Sequence, residues 1–331
     1  MHESPVWDTP VLQSVRPVVA ASRFVTTSPE AVERVADWMA FEEFAFPEGI
    51  LQFDLGDDPD RLTDAVMLIS CLNFAFSDFS TGTKFEVSYQ GRLWSDTEAM
   101  FASLHRALGA GEPVLDGAWM ANVTRAQLAR LFAGNIELPM LDERVAILHT
   151  VGATLVERYD GRWHRWVRTC APAMYAQGDG LVERLVAEFP RFRDVSAYHG
   201  HEVALLKLAQ LSLWMLHLVH RRFGDLAVGD LASMTAFADY IVPVALRLTG
   251  ITAYAPDLEQ RIARGDLIPR DSDEEIEIRA HSLHATALLT EAINRRRPPA
   301  LRLVIPQVDY RLWKAYHATF WPHHLTRTVM Y

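Results

Sequence analysis

The chain lacks most of the features that mark specialised protein classes. Only two of its 331 residues are cysteine, Cys71 and Cys170, and neither belongs to a CxxC pair. That argues against a disulfide framework and points to a reducing, cytoplasmic setting. The opening residues, Met-His-Glu-Ser-Pro-Val-Trp, have neither the basic start nor the apolar stretch of a signal peptide. The longest apolar run, Val203 to Val219, is interrupted by Lys207, Gln210 and His217. It falls short of the ~20 uninterrupted residues that a bilayer span needs, so it reads as a buried core helix and no membrane partner is expected. An excess of positive charge is missing as well. The formal net charge of −10 argues against a protein that clamps a long nucleic acid by its phosphates. No GxGxxG, Walker loop, GxSxG elbow or HExxH occurs, which leaves dinucleotide, P-loop, hydrolase-elbow and zincin readings without their central signal. The histidine pairs 199/201, 217/220 and 281/284 have ligand-like spacing but mostly lack an accompanying acid, so no metal and no cofactor are expected.

What is present is an ordinary globular composition, half apolar, long enough for a large core. Nothing repeats at a fixed period and no low-complexity linker divides the chain, so residues 1–331 are read as a single compact domain with 1–25 at its periphery. Helical signals dominate. Ser28-Pro29 opens a run with Val32, Val35, Ala36 and Met39 on one face. Thr124-Arg-Ala-Gln127 and Ser272-Asp-Glu-Glu275 fit the capping-box pattern. Val182, Leu185, Val186 and Phe189 form another apolar face that Pro190 ends. The basic run Arg295-Arg296-Arg297 closes a helix opened by acidic residues 271–275, the order that complements a helix dipole. Lys84-Phe-Glu-Val-Ser-Tyr89 alternates with period two into Gln90-Gly91, so one hairpin or short sheet is expected there. The fold class is mostly α with a small β element.

Within this pattern Phe237-Ala-Asp239-Tyr240-Ile-Val-Pro243 stands apart. It is read as an apolar helical segment holding a carboxylate, with Pro243 depriving the Asp239 carbonyl of its helical partner. Asp239 is then either a helix cap or a functional group. Lys207 lies in an apolar run, so its ammonium needs an anion or a path to solvent. Asp309-Tyr310 sets a carboxylate beside a phenol, suited to a base edge and its ring, or to capping the last helix. Asn73, Phe74 and Lys84 flank the expected hairpin and are candidates for the same cavity.

Several motifs in one order then resemble the queuosine salvage proteins, the queuosine 5′-phosphate N-glycosylase/hydrolases. They are Leu72-Asn73-Phe74-Ala-Phe76-Ser-Asp78 with Lys84-Phe-Glu-Val87, Phe192-Arg-Asp194 leading to Lys207-Leu-Ala-Gln210, and Thr235-Ala-Phe237-Ala-Asp239-Tyr240-Ile-Val-Pro243. Glu275-Ile-Glu-Ile-Arg279, Asp309-Tyr-Arg-Leu-Trp313 and the ending Pro322-His-His324-Leu-Thr-Arg327-Thr-Val-Met-Tyr331 complete the set. The resemblance implies a helical domain resembling the helix-hairpin-helix DNA glycosylases. It also implies hydrolysis of queuosine 5′-monophosphate to queuine and ribose 5-phosphate, with Asp239 and Lys207 as the catalytic pair. Phe237 would wall the base, Asp309 and Tyr310 would hold its edges, and Lys207, His324 or Arg327 would meet the phosphate. Whether Asp239 acts as nucleophile, electrostatic partner or base stays open. Lys314 stands where the family commonly has an acid, Leu208 and Leu325 replace usual arginines, and Glu42 or Glu43 falls where the family has a ligand-binding histidine. The implied partners are small molecules, with no stable nucleic-acid complex; a monomer is compatible. The competing readings are a non-catalytic queuine- or nucleotide-binding protein and a glycosylase of polymeric nucleic acid.

Overall fold

Several helices begin where the sequence supplies a cap. In the computed structural model, which describes residues 5–44, 53–221, 223, 224, 226, 228–317, 319 and 321–331, Ser28 accepts from the Ala31 amide and Thr124 and Gln127 close a complete capping box. The first half of the chain contributes α1 (Pro10–Ala21), α2 (Pro29–Met39), α3 (Pro59–Leu72), α4 (Asp96–Gly109), α5 (Gly117–Asn122), α6 (Arg125–Leu131) and α7 (Leu141–Arg158). The second half contributes α8 (Trp163–Val167), α9 (Leu181–Glu188), α10 (Lys207–His220), α11 (Val242–Leu248), α12 (Pro256–Ala263), α13 (Asp273–Arg295) and α14 (Ile305–Tyr316). Among the described residues six short strands pair as three two-stranded antiparallel sheets: β1 (Val25–Thr27) with β6 (Thr252–Tyr254), β2 (Glu86–Tyr89) with β3 (Arg92–Ser95), and β4 (Val195–Tyr198) with β5 (His201–Ala204). The protein is mostly helical with small β elements, as its sequence indicates.

The expected hairpin turns at Gln90 and Gly91, whose φ values of 50° and 74° are those a tight two-residue hairpin loop requires. A second hairpin turns in the same way at His199 and Gly200, with φ of 47° and 84°. It takes Val203 and Ala204 out of the apolar run read as one helix from Val203, so that helix starts only at Lys207.

The longest helix is the spine. Ile276, Ala280, Leu283 and Ala287 of α13 join the main core, while Ala285, Leu289, Ala292 and Ile293 face a second cluster built with α2, α11 and α14. A helix packed on nearly every side shows little amphipathicity, so periodicity alone does not reveal such an element. Its basic end is stitched to α2: Arg295 pairs with Glu33, and Arg296 donates to Asp37 at 2.6 Å. Within the segment expected at the periphery, the helix α1 is not peripheral. Val11, Leu12, Val15 and Val18 of α1 are fully buried in the main core.

Candidate active site

The segment 234–239 is not helical, which corrects the expected kinked helix through Pro243. Its backbone groups are claimed by buried side chains from three helices. Gln210 of α10 brackets Thr235, donating to its hydroxyl at 2.7 Å and accepting its amide at 2.8 Å. Asp309 of α14 accepts the Phe237 amide at 2.9 Å, and Arg279 of α13 donates to the Ala238 carbonyl at 3.0 Å. These bonds replace a helical ladder. Pro243 sits in the first turn of α11, where its missing N–H leaves no bond unmade.

Asp239 follows this strut directly. Its Oδ1 accepts the amides of Ile241 at 2.9 Å and Val242 at 3.0 Å, so it does cap the start of α11. Both bonds fall on one oxygen, which leaves Oδ2 for another partner. Lys207 opens α10 with its amide on Asp194 Oδ2 at 3.1 Å, and only 6 % of the residue is exposed.

Electrostatics link these groups into one buried cluster. Burial pushes the Asp239 carboxyl up, opposed chiefly by the Lys207 ammonium and then by the two capping amides and His323. Burial pushes Lys207 down, and Asp239 is the strongest influence holding its proton, with Asp309 adding to it. Asp309 is driven well above the carboxylate range by burial and by the charge on Asp239, against the Phe237 amide and Lys207. One cation thus faces two carboxyls. The three groups are electrostatically coupled, so that a proton on Asp309 would favour an ionised Asp239 opposite Lys207. Such a group can stabilise a developing cation while a neighbouring neutral acid donates a hydrogen bond.

A family model described as queuosine salvage protein matches residues 53–331. The chain is 34 % identical over 324 residues to a queuosine 5′-phosphate N-glycosylase/hydrolase of Sphaerobacter thermophilus, covering 97 % of each chain. Proteins of the same name from Schizosaccharomyces pombe and Mus musculus are 31 % and 27 % identical, over 76 % and 91 % of this chain and 73 % and 91 % of theirs. The chain belongs to the queuosine salvage protein family.

The other residues singled out from sequence fall into two groups. Phe237, 5 % exposed, lies on the strut beside Asp239, and Tyr310 follows Asp309 on α14, its ring stacked on Trp313 with centroids 6.2 Å apart. Asp309 lies inside α14, not at its cap, since the helix begins at Ile305. Lys84 pairs with Asp96 at 2.6 Å, and Asp96 is close enough to bear on the Tyr240 phenol. Asn73 ends α3 and accepts from Thr97 at 3.5 Å. Phe74 is enclosed in the core, under Arg144 at 4.0 Å and Arg191 at 4.9 Å. His324 is buried, with Nε2 3.2 Å from the Tyr331 hydroxyl; burial pushes it down to about 3, so it is a neutral imidazole at physiological pH. Arg327 is exposed and pairs with Glu143 of α7 at 2.9 Å. Neither of these two is a cation placed beside Asp239.

Four residues escaped assignment from sequence. Asp194, Gln210 and Arg279 all stand in the stretches on which the sequence resemblance was drawn, but their tasks depend on which distant segments they meet. His323, whose ring lies 4.5 Å from that of Tyr240, bears on Asp239, whereas its neighbour His324 is singled out from sequence only for the phosphate. Of the two neighbouring acids, Glu42 holds Arg311 of α14 in a two-pronged pair at 2.6 and 2.9 Å, whereas Glu43 is exposed. Among the described residues no group of three or more His, Cys, Asp or Glu could hold a metal, and no helix is long and apolar enough to cross a membrane.

Proposed function

We propose that this protein hydrolyses the N-glycosidic bond of queuosine 5′-monophosphate, giving queuine and ribose 5-phosphate. The observation that carries the reading is the buried Lys207, Asp239 and Asp309 cluster in a chain whose relatives bear the name queuosine 5′-phosphate N-glycosylase/hydrolase. As the bond between C1′ and the base breaks, the electron pair leaves with the base and positive charge builds on the ribose. An ionised Asp239 in a water-poor setting meets that charge, either through space or by attack on C1′. Water supplies hydroxide to C1′ and a proton to the departing base. Queuine is a 7-deazaguanine without the N7 that many purine-releasing enzymes protonate, so help to the leaving group falls to its other edges. Asp309, held neutral, and Tyr310 are the groups assigned to those edges; Phe237 walls the base.

Lys207 serves this scheme by keeping Asp239 ionised rather than as a phosphate ligand. Two free thiols raised by burial, Cys71 to about 12 and Cys170 to about 11, fit a reducing cytoplasmic setting and no redox role. Incubation with queuosine 5′-monophosphate, with free queuine read by mass spectrometry, should show release that scales with enzyme. No release above background would falsify the assignment. Saturable thermal stabilisation by the nucleotide without product would favour the binding-protein reading instead.

A further inference from the structure

Lys207 and Asp239 sit on separate segments, 207 at the start of α10 and 239 before α11, and a third element joins them. The Asp194 carboxylate, 1 % exposed, accepts the Lys207 amide on Oδ2 at 3.1 Å. It also accepts two arms of the Arg279 guanidinium, at 3.0 Å on Oδ1 and 2.5 Å on Oδ2. The remaining arm, Nε, reaches the carbonyl of Ala238 at 3.0 Å, the peptide that leads into Asp239. A single planar cation therefore grips both catalytic segments at once.

The grip is tight on the Lys207 side. The Leu205 and Leu206 amides donate to the Asp194 carbonyl at 2.9 and 3.1 Å, and Leu206 is held at φ 48°, a left-handed conformation that a leucine avoids. Strain of this kind persists only where the surroundings over-determine it.

We propose that Arg279, acting through Asp194, is a positioning residue that sets the approach of the Lys207 ammonium to the Asp239 carboxylate. This rests on the function proposed above. The fork geometry is what matters: three donors in one plane reach two carboxylate oxygens and a carbonyl, which a lysine ammonium on a flexible stem does not reproduce. Lys207 is faced by Asp239 and Asp309 of one sign and by Arg279 and Arg191 of the other, so Arg279 also opposes its protonation.

The test uses two variants of the full chain. Arg279→Lys keeps the charge and loses the fork. At a temperature where circular dichroism shows it folded, its kcat should fall about 10²-fold with KM within about threefold, the cost of a small misplacement at the reacting groups. A folded variant with kcat within about threefold of wild type overturns the proposal, even though wild-type turnover would leave the proposed function standing. The second variant, Arg279→Gln with Asp194→Asn, replaces the ion pair by a neutral one and needs no turnover. Lysine occurs at only three positions, 84, 207 and 314, so labelling with 13C at the lysine ε-carbon gives three signals, and Lys207→Arg assigns one. The Lys207 midpoint should lie below the ordinary lysine value in wild type and rise in the neutral pair. An unmoved midpoint would mean that Arg279 does not act on Lys207.

Discussion

Two regions of this protein bury arginine beside an aromatic ring, and they resolve the same cost in opposite ways. Arg279 lies 4.5 Å over the Tyr331 ring and is met by carboxylates, Asp194 and, at 3.4 Å, Glu275. Burial alone would push it down, yet these two anions carry it above its ordinary value. Arg144 and Arg191 enclose Phe74 and bond to carbonyls instead: Arg144 to Pro139, Phe74 and Ala75, Arg191 to Cys71 at 2.7 Å and Val329 at 2.5 Å. Burial, and after it the charge on Arg191, pushes Arg144 down to about 9; burial pushes Arg191 down to about 10. The carbonyls at the end of α3 are the negative pole of that helix, so the second pair behaves as a helix clasp. The first region keeps formal anions close to a second buried cation, Lys207, and that is where charge chemistry is available. Buried charge by itself does not mark the site; the company it keeps does.

The sharpest way to break the comparison is Asp239→Asn. Asparagine keeps the Oδ1 acceptor for the amides of Ile241 and Val242, so α11 stays capped while the charge is lost. Queuine release should drop by about 10³-fold, with nucleotide-induced thermal stabilisation preserved. A variant that turns over at the wild-type rate would reduce Asp239 to a cap and dissolve the distinction between the two regions.

Arg144→Met probes the other side. It leaves the carbonyls of Pro139, Phe74 and Ala75 without their donor, which should cost about 2 kcal/mol in urea unfolding. Its kcat, measured where it is folded, should stay within about twofold of wild type. If stability held and kcat collapsed, Phe74 would belong with the substrate-facing residues, as its place in the shared motif suggests.

How much of this was legible in sequence follows from the range of the forces involved. Caps at Ser28 and Thr124 and the turn at Gln90-Gly91 were readable because their causes lie within a few residues. The second hairpin carried a comparable local signal, His199-Gly200 between short apolar stretches, and was masked by the long apolar run beyond it. Asp239 and Lys207 stood out as charges in apolar surroundings. Their mutual approach, like the strut at 234–239, depends on Asp194, Arg279 and Asp309, which lie 85 residues apart in the first pair and 72 residues from Phe237 in the third. Local reading therefore returned a kinked helix where the chain is not helical. His324 misled for a similar reason: two adjacent histidines share a motif, and only packing decides which one is buried neutral against Tyr331 and which faces Tyr240.

The smallest expected effect concerns Asp309, and its sign separates a functional carboxyl from a structural one. Its folded-state pKa is raised, by burial first and by Asp239 second, so the stability linked to its proton is complete below the ordinary carboxylate range and is lost as pH rises through the folded value. Asp309→Asn keeps the acceptor for the Phe237 amide at 2.9 Å and cannot ionise. The variant should therefore unfold at a higher temperature than wild type at neutral pH, with the gap closing as pH falls below about 4. Asp194 is the contrast, because it is held by Arg279 and losing its charge should lower the unfolding temperature. Thermal scans of Asp309→Asn from acid to neutral pH decide between the two. A loss of stability at every pH would place Asp309 with Asp194 as a structural anion and would leave the departing base without its neutral acid, whereas a gain bought at the expense of turnover is what a strained catalytic carboxyl predicts.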